Sequence, residues 1–156
     1  MNNLAFILSE IELRYNPSVP VDKRPHISCA EDAHKQLLIL LNQTQLGIRE
    51  ECVVLYLNRH NRVMGGYKLS SGGMTGTVMD IRIILGIALK CLALGIIVAH
   101  THPSGELSPS KRDLELTGRL NEAARLMDLR LVDHLIITIS GYLSFAEEGL
   151  IVDPGS

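Results

Sequence analysis

From Gly95 to Ala99 the chain is apolar without alternation, and the run closes on His100. A strand with one wet face alternates apolar and polar residues, so a strand that does not alternate needs cover on both faces. That is the condition of a central strand held between two helical layers. The flanking segments can supply those layers. Ser28 and Glu31 have the spacing of a capping box, and Ala33, Leu37, Leu38 and Leu41 then recur at helical spacing to about residue 43. Residues 80–94 are rich in Ile, Leu and Ala on most faces, which predicts a largely buried helix, and residues 111–127 read as another.

The remaining β-prone runs are short. Residues 52–57 and 62–69 are joined by Asn58-Arg59-His60-Asn61, a polar connection of hairpin length, and should pair antiparallel. Residues 131–138 and 141–145 read as strands separated by a turn, and an early strand is expected at 11–15. Strands interleaved with helices over one core predict an α/β domain, three-layer αβα with a mixed β-sheet.

The 156 residues suit one compact domain, and 46% hydrophobic residues can fill its core. Pro17 and Pro20 break the periodicity near the front, so residues 1–27 are expected to be an N-terminal extension and residues 28–156 the domain. With 15 Lys+Arg against 17 Asp+Glu the formal charge is -2, which argues against a protein held on nucleic acid or membrane by charge. No apolar stretch approaches the ~18 residues of a membrane-spanning helix, and the first residues lack a secretory signal. Cys29, Cys52 and Cys91 are an odd number at wide spacings, which fits neither a disulfide framework nor a thiolate zinc site. Burial in the core accounts for each of them, and a cytoplasmic location is expected.

The chemistry lies in residues 99–113. His100 and His102, two apart at the end of a strand, project to one side and can converge on a single ion. With ten residues between it and His102, beyond the turn Pro103-Ser104-Gly105, Asp113 could supply a third ligand from the first turn of the next helix; it could also be the acidic partner of a capping box with Ser110. Two imidazoles and a carboxylate suit zinc with a fourth position for water. A general base is then required, and Glu51 is the candidate, because it opens a strand whose start should lie beside the histidines; Glu50 is its rival, since only one of two neighbours can face the metal.

His-x-His-Pro, six residues, Ser, two residues, Asp resembles the signature of JAB/MPN (JAMM) metalloproteases, with His100, His102, Pro103, Ser110 and Asp113 each in a motif position. The phrases at 50–57, 99–105 and 131–138 are similar to the RadC subfamily, over roughly the last two-thirds of the chain. The resemblance implies a cytidine-deaminase-like fold, one zinc ion per chain, and hydrolysis of a peptide or isopeptide bond in a peptide or protein substrate. It also implies that Ser110 helps to stabilise the oxyanion, beside its capping role. Thr101 stands where RadC-like histidine motifs usually have Asn, as in other JAMM proteins, and residues 1–27 are too short and Pro-broken for the helix-hairpin-helix region of full-length RadC proteins. Deamination would need H-x-E with P-C-x-x-C, and neither is present. Asp133-His134 could support the site, contact substrate or be structural; His26, His34 and His60 read as surface or loop residues, and residues 71–76 as a turn at the rim of the cleft. The competing function is a non-hydrolytic accessory or binding domain that keeps the fold and metal site and recognises a partner, for which DNA is one candidate.

Overall fold

A computed structural model describes residues 14–71 and 79–153, together with Ser9 and Glu12. Five strands form one sheet: β1 (Glu51–Leu57), β2 (Val63–Ser71), β3 (Gly95–Thr101), β4 (Arg130–Thr138) and β5 (Gly141–Ser144), in the spatial order β2-β1-β3-β4-β5. The helices are α1 (Ala30–Leu40), α2 (Ile81–Cys91) and α3 (Lys111–Leu126). The sheet is mixed: β3 and β4 run parallel, while β1 pairs antiparallel with both β2 and β3, and β5 with β4.

The period of two along each strand divides the core. Val53, Leu55, Leu57, Ile97 and Ala99 pack against Ala33, Leu37 and Leu41 on the α1 side. Cys52, Val54, Tyr56, Ile96 and Val98 pack on the other side against Ile84, Leu85 and Ala88 of α2 and Leu120 and Ala124 of α3. All seven residues of β3 are buried, as its uninterrupted apolar run requires. The three-layer αβα arrangement follows from these two clusters. The hairpin closes through Asn58, whose Oδ1 accepts the N–H groups of His60 and Arg62 at 2.9 and 3.0 Å.

Several local expectations are corrected. Cys29, not Ser28, is the N-cap of α1, which places Asp32 at the third helical position. Asp32 Oδ2 therefore accepts both the N–H and the hydroxyl of Ser28, at 2.9 and 2.6 Å, while Glu31 pairs with Lys35 at 2.9 Å. Helix α2 is covered on one face only: Ile83 and Leu89 remain exposed. Of the cysteines only Cys52 is buried; Cys29 is exposed and Cys91 half-buried. In the stretch 11–15, Ile11 and Leu13 lie outside the described residues, and Glu12, Arg14 and Tyr15 lie in no strand. Tyr15 instead donates its hydroxyl to the Met64 carbonyl of β2 at 2.6 Å. Residues 72–76 of the rim loop also lie outside the described residues. Among the described residues no helix is long and apolar enough to cross a membrane.

Candidate metal centre

His100 is the sixth residue of β3 and lies directly across from Cys52 of β1, so its ring shares the α3 side of the sheet. His102 follows immediately, its N–H still tied to the Ile137 carbonyl of β4 at 3.0 Å. The chain then reverses in a turn closed by Gly105 N–H to the His102 carbonyl at 3.0 Å, with Pro103 at the position that favours its fixed φ. Gly105 has φ +85°, a conformation that any residue with a Cβ adopts only under strain. The reversal carries the Glu106 carbonyl to 2.8 Å from His102 Nδ1. A carbonyl can only accept, so Nδ1 carries the ring proton and His102 Nε2 presents a lone pair.

Helix α3 begins at the same place. Ser110 is its N-cap, and the capping box is complete: Asp113 N–H donates to Ser110 Oγ at 3.1 Å, and Ser110 N–H to Asp113 Oδ2 at 2.8 Å. That box orients the carboxylate toward the histidines. Asp113 Oδ1 lies 3.3 Å from His100 Nε2 and Oδ2 lies 3.3 Å from His102 Nε2, with the two Nε2 atoms 2.8 Å apart. Asp113 thus completes the capping box and, through the same carboxylate, faces both histidines. These three side chains could hold a metal ion, each offering one ligand atom. The chemistry of the donor set fits: imidazole nitrogens with a carboxylate oxygen, at a cavity wall.

The electrostatics point the same way. Burial opposes a charge on Asp113, but hydrogen bonding to His100 and His102 overcomes it and holds the carboxyl well below the usual carboxylate range. The Asp113 carboxylate is also the main cause that raises the pKa of His102 above its ordinary value, with lesser support from the Glu106 carbonyl and the charge of Glu50. In the metal-free protein the pair thus competes for a proton where a cation would sit.

A cavity of about 610 Å³ opens over this cluster, and Glu50 is in its wall together with Cys52, Met79, Ser110 and Arg112. Glu51 is not. Its carboxylate lies on the α1 side, where Oε1 accepts from Lys68 Nζ at 2.8 Å and Oε2 from the Asn42 N–H at 3.0 Å. The cause is the phase of the strand entrance. Thr101, buried at the end of β3, accepts the Glu51 N–H on Oγ1 and donates to the Arg49 carbonyl, both at 2.9 Å. This strap sets residues 49–51 so that Glu50 shares the face of Cys52 and His100. Glu51, the expected base, is thus placed away from the histidines, and its rival Glu50 lies in the wall of their cavity.

Behind the cluster are two groups of which sequence reading reached only one. His134 Nε2 lies 2.7 Å from His100 Nδ1, and its Nδ1 lies 2.7 Å from Thr117 Oγ1. Thr117 carried a signal that went unused, for it follows Asp113 by one helical turn and so shares its face of α3. Asp133 faces away: its carboxylate accepts from Ser144 Oγ at 2.6 Å and from the N–H groups of His134 and Ala146 at 2.7 and 3.0 Å, which holds β5 and the following turn in place. Phe145 from that turn stacks on the His134 ring, centroids 4.3 Å apart. His34 packs against the Tyr142 ring in a tilted arrangement and His60 lies in the hairpin turn, both away from the cavity wall.

Comparison with known proteins agrees with this geometry. The family model of the RadC-like JAB domain matches residues 27–150. The chain is 36% identical over 145 residues to a UPF0758 protein of Flavobacterium johnsoniae, covering 92% of this chain and 62% of that one. It is 40% identical over 147 residues to a UPF0758 protein of Porphyromonas gingivalis, covering 93% and 63%. With the UPF0758 protein YeeS of Escherichia coli (strain K12) it shares 42% over 113 residues, covering 72% and 76%. The chain thus spans a little under two-thirds of the length of the first two relatives.

Proposed function

Because the chain belongs to the RadC-like JAB domain family, we propose that it is a zinc-dependent hydrolase of the JAMM type, cleaving a peptide or isopeptide amide with an activated water. The observation that carries this reading is the convergence of His100 Nε2, His102 Nε2 and the Asp113 carboxylate on one cavity wall that also contains Glu50. Zinc bound by that set would act as a Lewis acid and bring the pKa of a water toward neutrality.

The chain's own groups would do the rest. The Glu50 carboxylate accepts a proton from the attacking water and delivers it to the departing amine nitrogen, so that water's hydroxyl ends on the acyl carbon and the amine leaves neutral. Ser110 Oγ uses a lone pair for the Asp113 N–H, which leaves its hydroxyl hydrogen available to the oxyanion on the substrate carbonyl. The capping box with Ser110 would hold the Asp113 carboxylate, as third ligand, in register with the two imidazoles.

The test is a substrate-profiling screen of the zinc-loaded full chain against peptide and isopeptide-linked libraries. Amide cleavage that requires zinc and is lost with Glu50→Gln supports the reading. Cleavage that persists in both the zinc-free protein and Glu50→Gln would overturn it.

A further inference from the structure

The ring of His100 presents a question that its ligand role leaves open: which of its two nitrogens carries the proton. Only a bare Nε2 can take part in a metal site at that end of the ring. The buried groups behind it offer two self-consistent patterns. In one, the Thr117 hydroxyl donates to His134 Nδ1, His134 Nε2–H donates to His100 Nδ1, and the proton of His100 stands on Nε2, inside the metal cluster. In the other every bond is reversed: His100 Nδ1–H donates to His134 Nε2, His134 Nδ1–H donates to the Thr117 oxygen, and His100 Nε2 is bare.

The choice falls to the one group in the chain that cannot switch. The Asp113 backbone carbonyl lies 2.7 Å from Thr117 Oγ1, one helical turn back, and a carbonyl only accepts. Thr117 has a single hydroxyl hydrogen, and the carbonyl takes it. The Thr117 oxygen is then left to accept from His134 Nδ1, which commits His134 Nε2 as acceptor and His100 Nδ1 as donor, each contact at 2.7 Å. Thr117 and His134 are 2% and 1% exposed, so no water stands ready to replace either partner.

The geometry points to Thr117 and His134 as positioning residues that fix the metal-competent tautomer of His100. The path is closed. It starts at the backbone of one ligand residue, Asp113, passes through a hydroxyl and an imidazole, and ends on the ring of another ligand, His100, whose far nitrogen meets the Asp113 carboxylate at 3.3 Å. The Phe145 ring stacked on His134 keeps the intermediate ring from turning. Metal-binding histidines commonly donate their other N–H to a carboxylate, a carbonyl or water. Here a second neutral imidazole takes that place, and its own tautomer has to be set by a further group.

This inference rests on the metal reading above, and its test separates the two. In the metal-free full chain with ¹⁵N-labelled histidine, long-range ¹H–¹⁵N correlations of the rings are expected to show His100 and His134 both protonated at Nδ1. Zinc affinity, measured by competition with a chromophoric chelator, is expected to fall ~10- to 100-fold in Thr117→Val, which keeps the shape of the side chain and removes its oxygen. Thr117→Ser, which restores the hydroxyl, is expected to bind as wild type does. A His100 with no proton on Nδ1 in the wild type, or a folded Thr117→Val with wild-type zinc affinity, would overturn the inference. Should Thr117→Val not fold, the wild-type tautomers alone decide. If the wild type bound no zinc, the metal reading would fall, while the ring tautomers would still report on the relay.

Discussion

Glu51 and Lys68 are joined carboxylate to ammonium at 2.8 Å on the α1 side of the sheet, with the Glu51 side chain only 3% exposed. One residue earlier, Glu50 lines the cavity of the candidate metal centre on the opposite side. Two neighbouring glutamates therefore face opposite ways, with one duty at the entrance of β1 and the other, in the proposed mechanism, in the chemistry.

Exchanging each for its amide should separate these duties. Glu50→Gln is expected to keep fold and zinc and to lose ~10²- to 10⁴-fold in kcat, the usual contribution of a general base. Glu51→Gln is expected to keep turnover and zinc and to lose ~1–2 kcal/mol of stability, because a charge-assisted hydrogen bond is lost while the half-exposed Lys68 can turn to water. Urea unfolding and single-turnover rates on the same samples check both. An inactive Glu51→Gln of wild-type stability would reverse the assignment.

Ser110→Ala should show two losses at once. Removing the N-cap oxygen is expected to cost ~0.5–2 kcal/mol of stability. Removing a hydroxyl that donates to an oxyanion is expected to lower kcat by ~10²- to 10³-fold. A variant that lost stability but kept full kcat would leave Ser110 as a cap alone.

The metal-free protein should be most stable near pH 6.5. The pKa of His102 is raised above its ordinary value of 6.5, first by the Asp113 carboxylate, so this pair's stabilisation is full below 6.5 and is lost as pH rises through the folded value. His134 is pushed well below 6.5 by burial, so as pH falls past 6.5 the unfolded chain binds a proton that the folded one refuses, and stability falls again. Zinc bound by this set would replace the proton between His102 and Asp113, so the alkaline decline should disappear when it is added. Thermal melts from pH 5 to 9, with and without zinc, measure this; an alkaline limb unaffected by zinc would contradict it.

Thiol labelling should proceed in three stages. Cys29 is exposed and should react first, and the half-buried Cys91, whose pKa burial raises, should follow slowly. Cys52 is buried and its thiol is pushed up to about 12, so it should react only on unfolding. Protein alkylated at Cys29 should retain its zinc, as measured by elemental analysis, since no thiol belongs to the cluster.

Much of the fold was legible because it depends on composition and period. The unalternating run that became β3 demanded two helical layers, and the hairpin at Asn58, the capped start of α3 and the paired histidines follow from spacings of a few residues. Less legible was anything that turned on a single step. The N-cap of α1 moved by one residue, from Ser28 to Cys29, and the acid that answers it moved with it from Glu31 to Asp32. The apolar surface of α2 exceeded what one neighbouring layer could cover, which left Ile83 and Leu89 outside.

The linear order of residues determined by itself that two imidazoles at a strand end and a carboxylate at a helix start could meet, since strand and helix periods alone place them on converging faces. Tertiary structure decided which glutamate joins them. Side chains alternate with a period of two, so a shift of one residue exchanges the faces, and nothing in Glu50-Glu51 distinguishes the two phases. The Thr101 hydroxyl, 50 residues away in the chain, settles the phase through the backbone of Arg49 and Glu51. In the same way Thr117 and His134 meet behind His100 only because α3 packs across β4, a contact that no local pattern encodes.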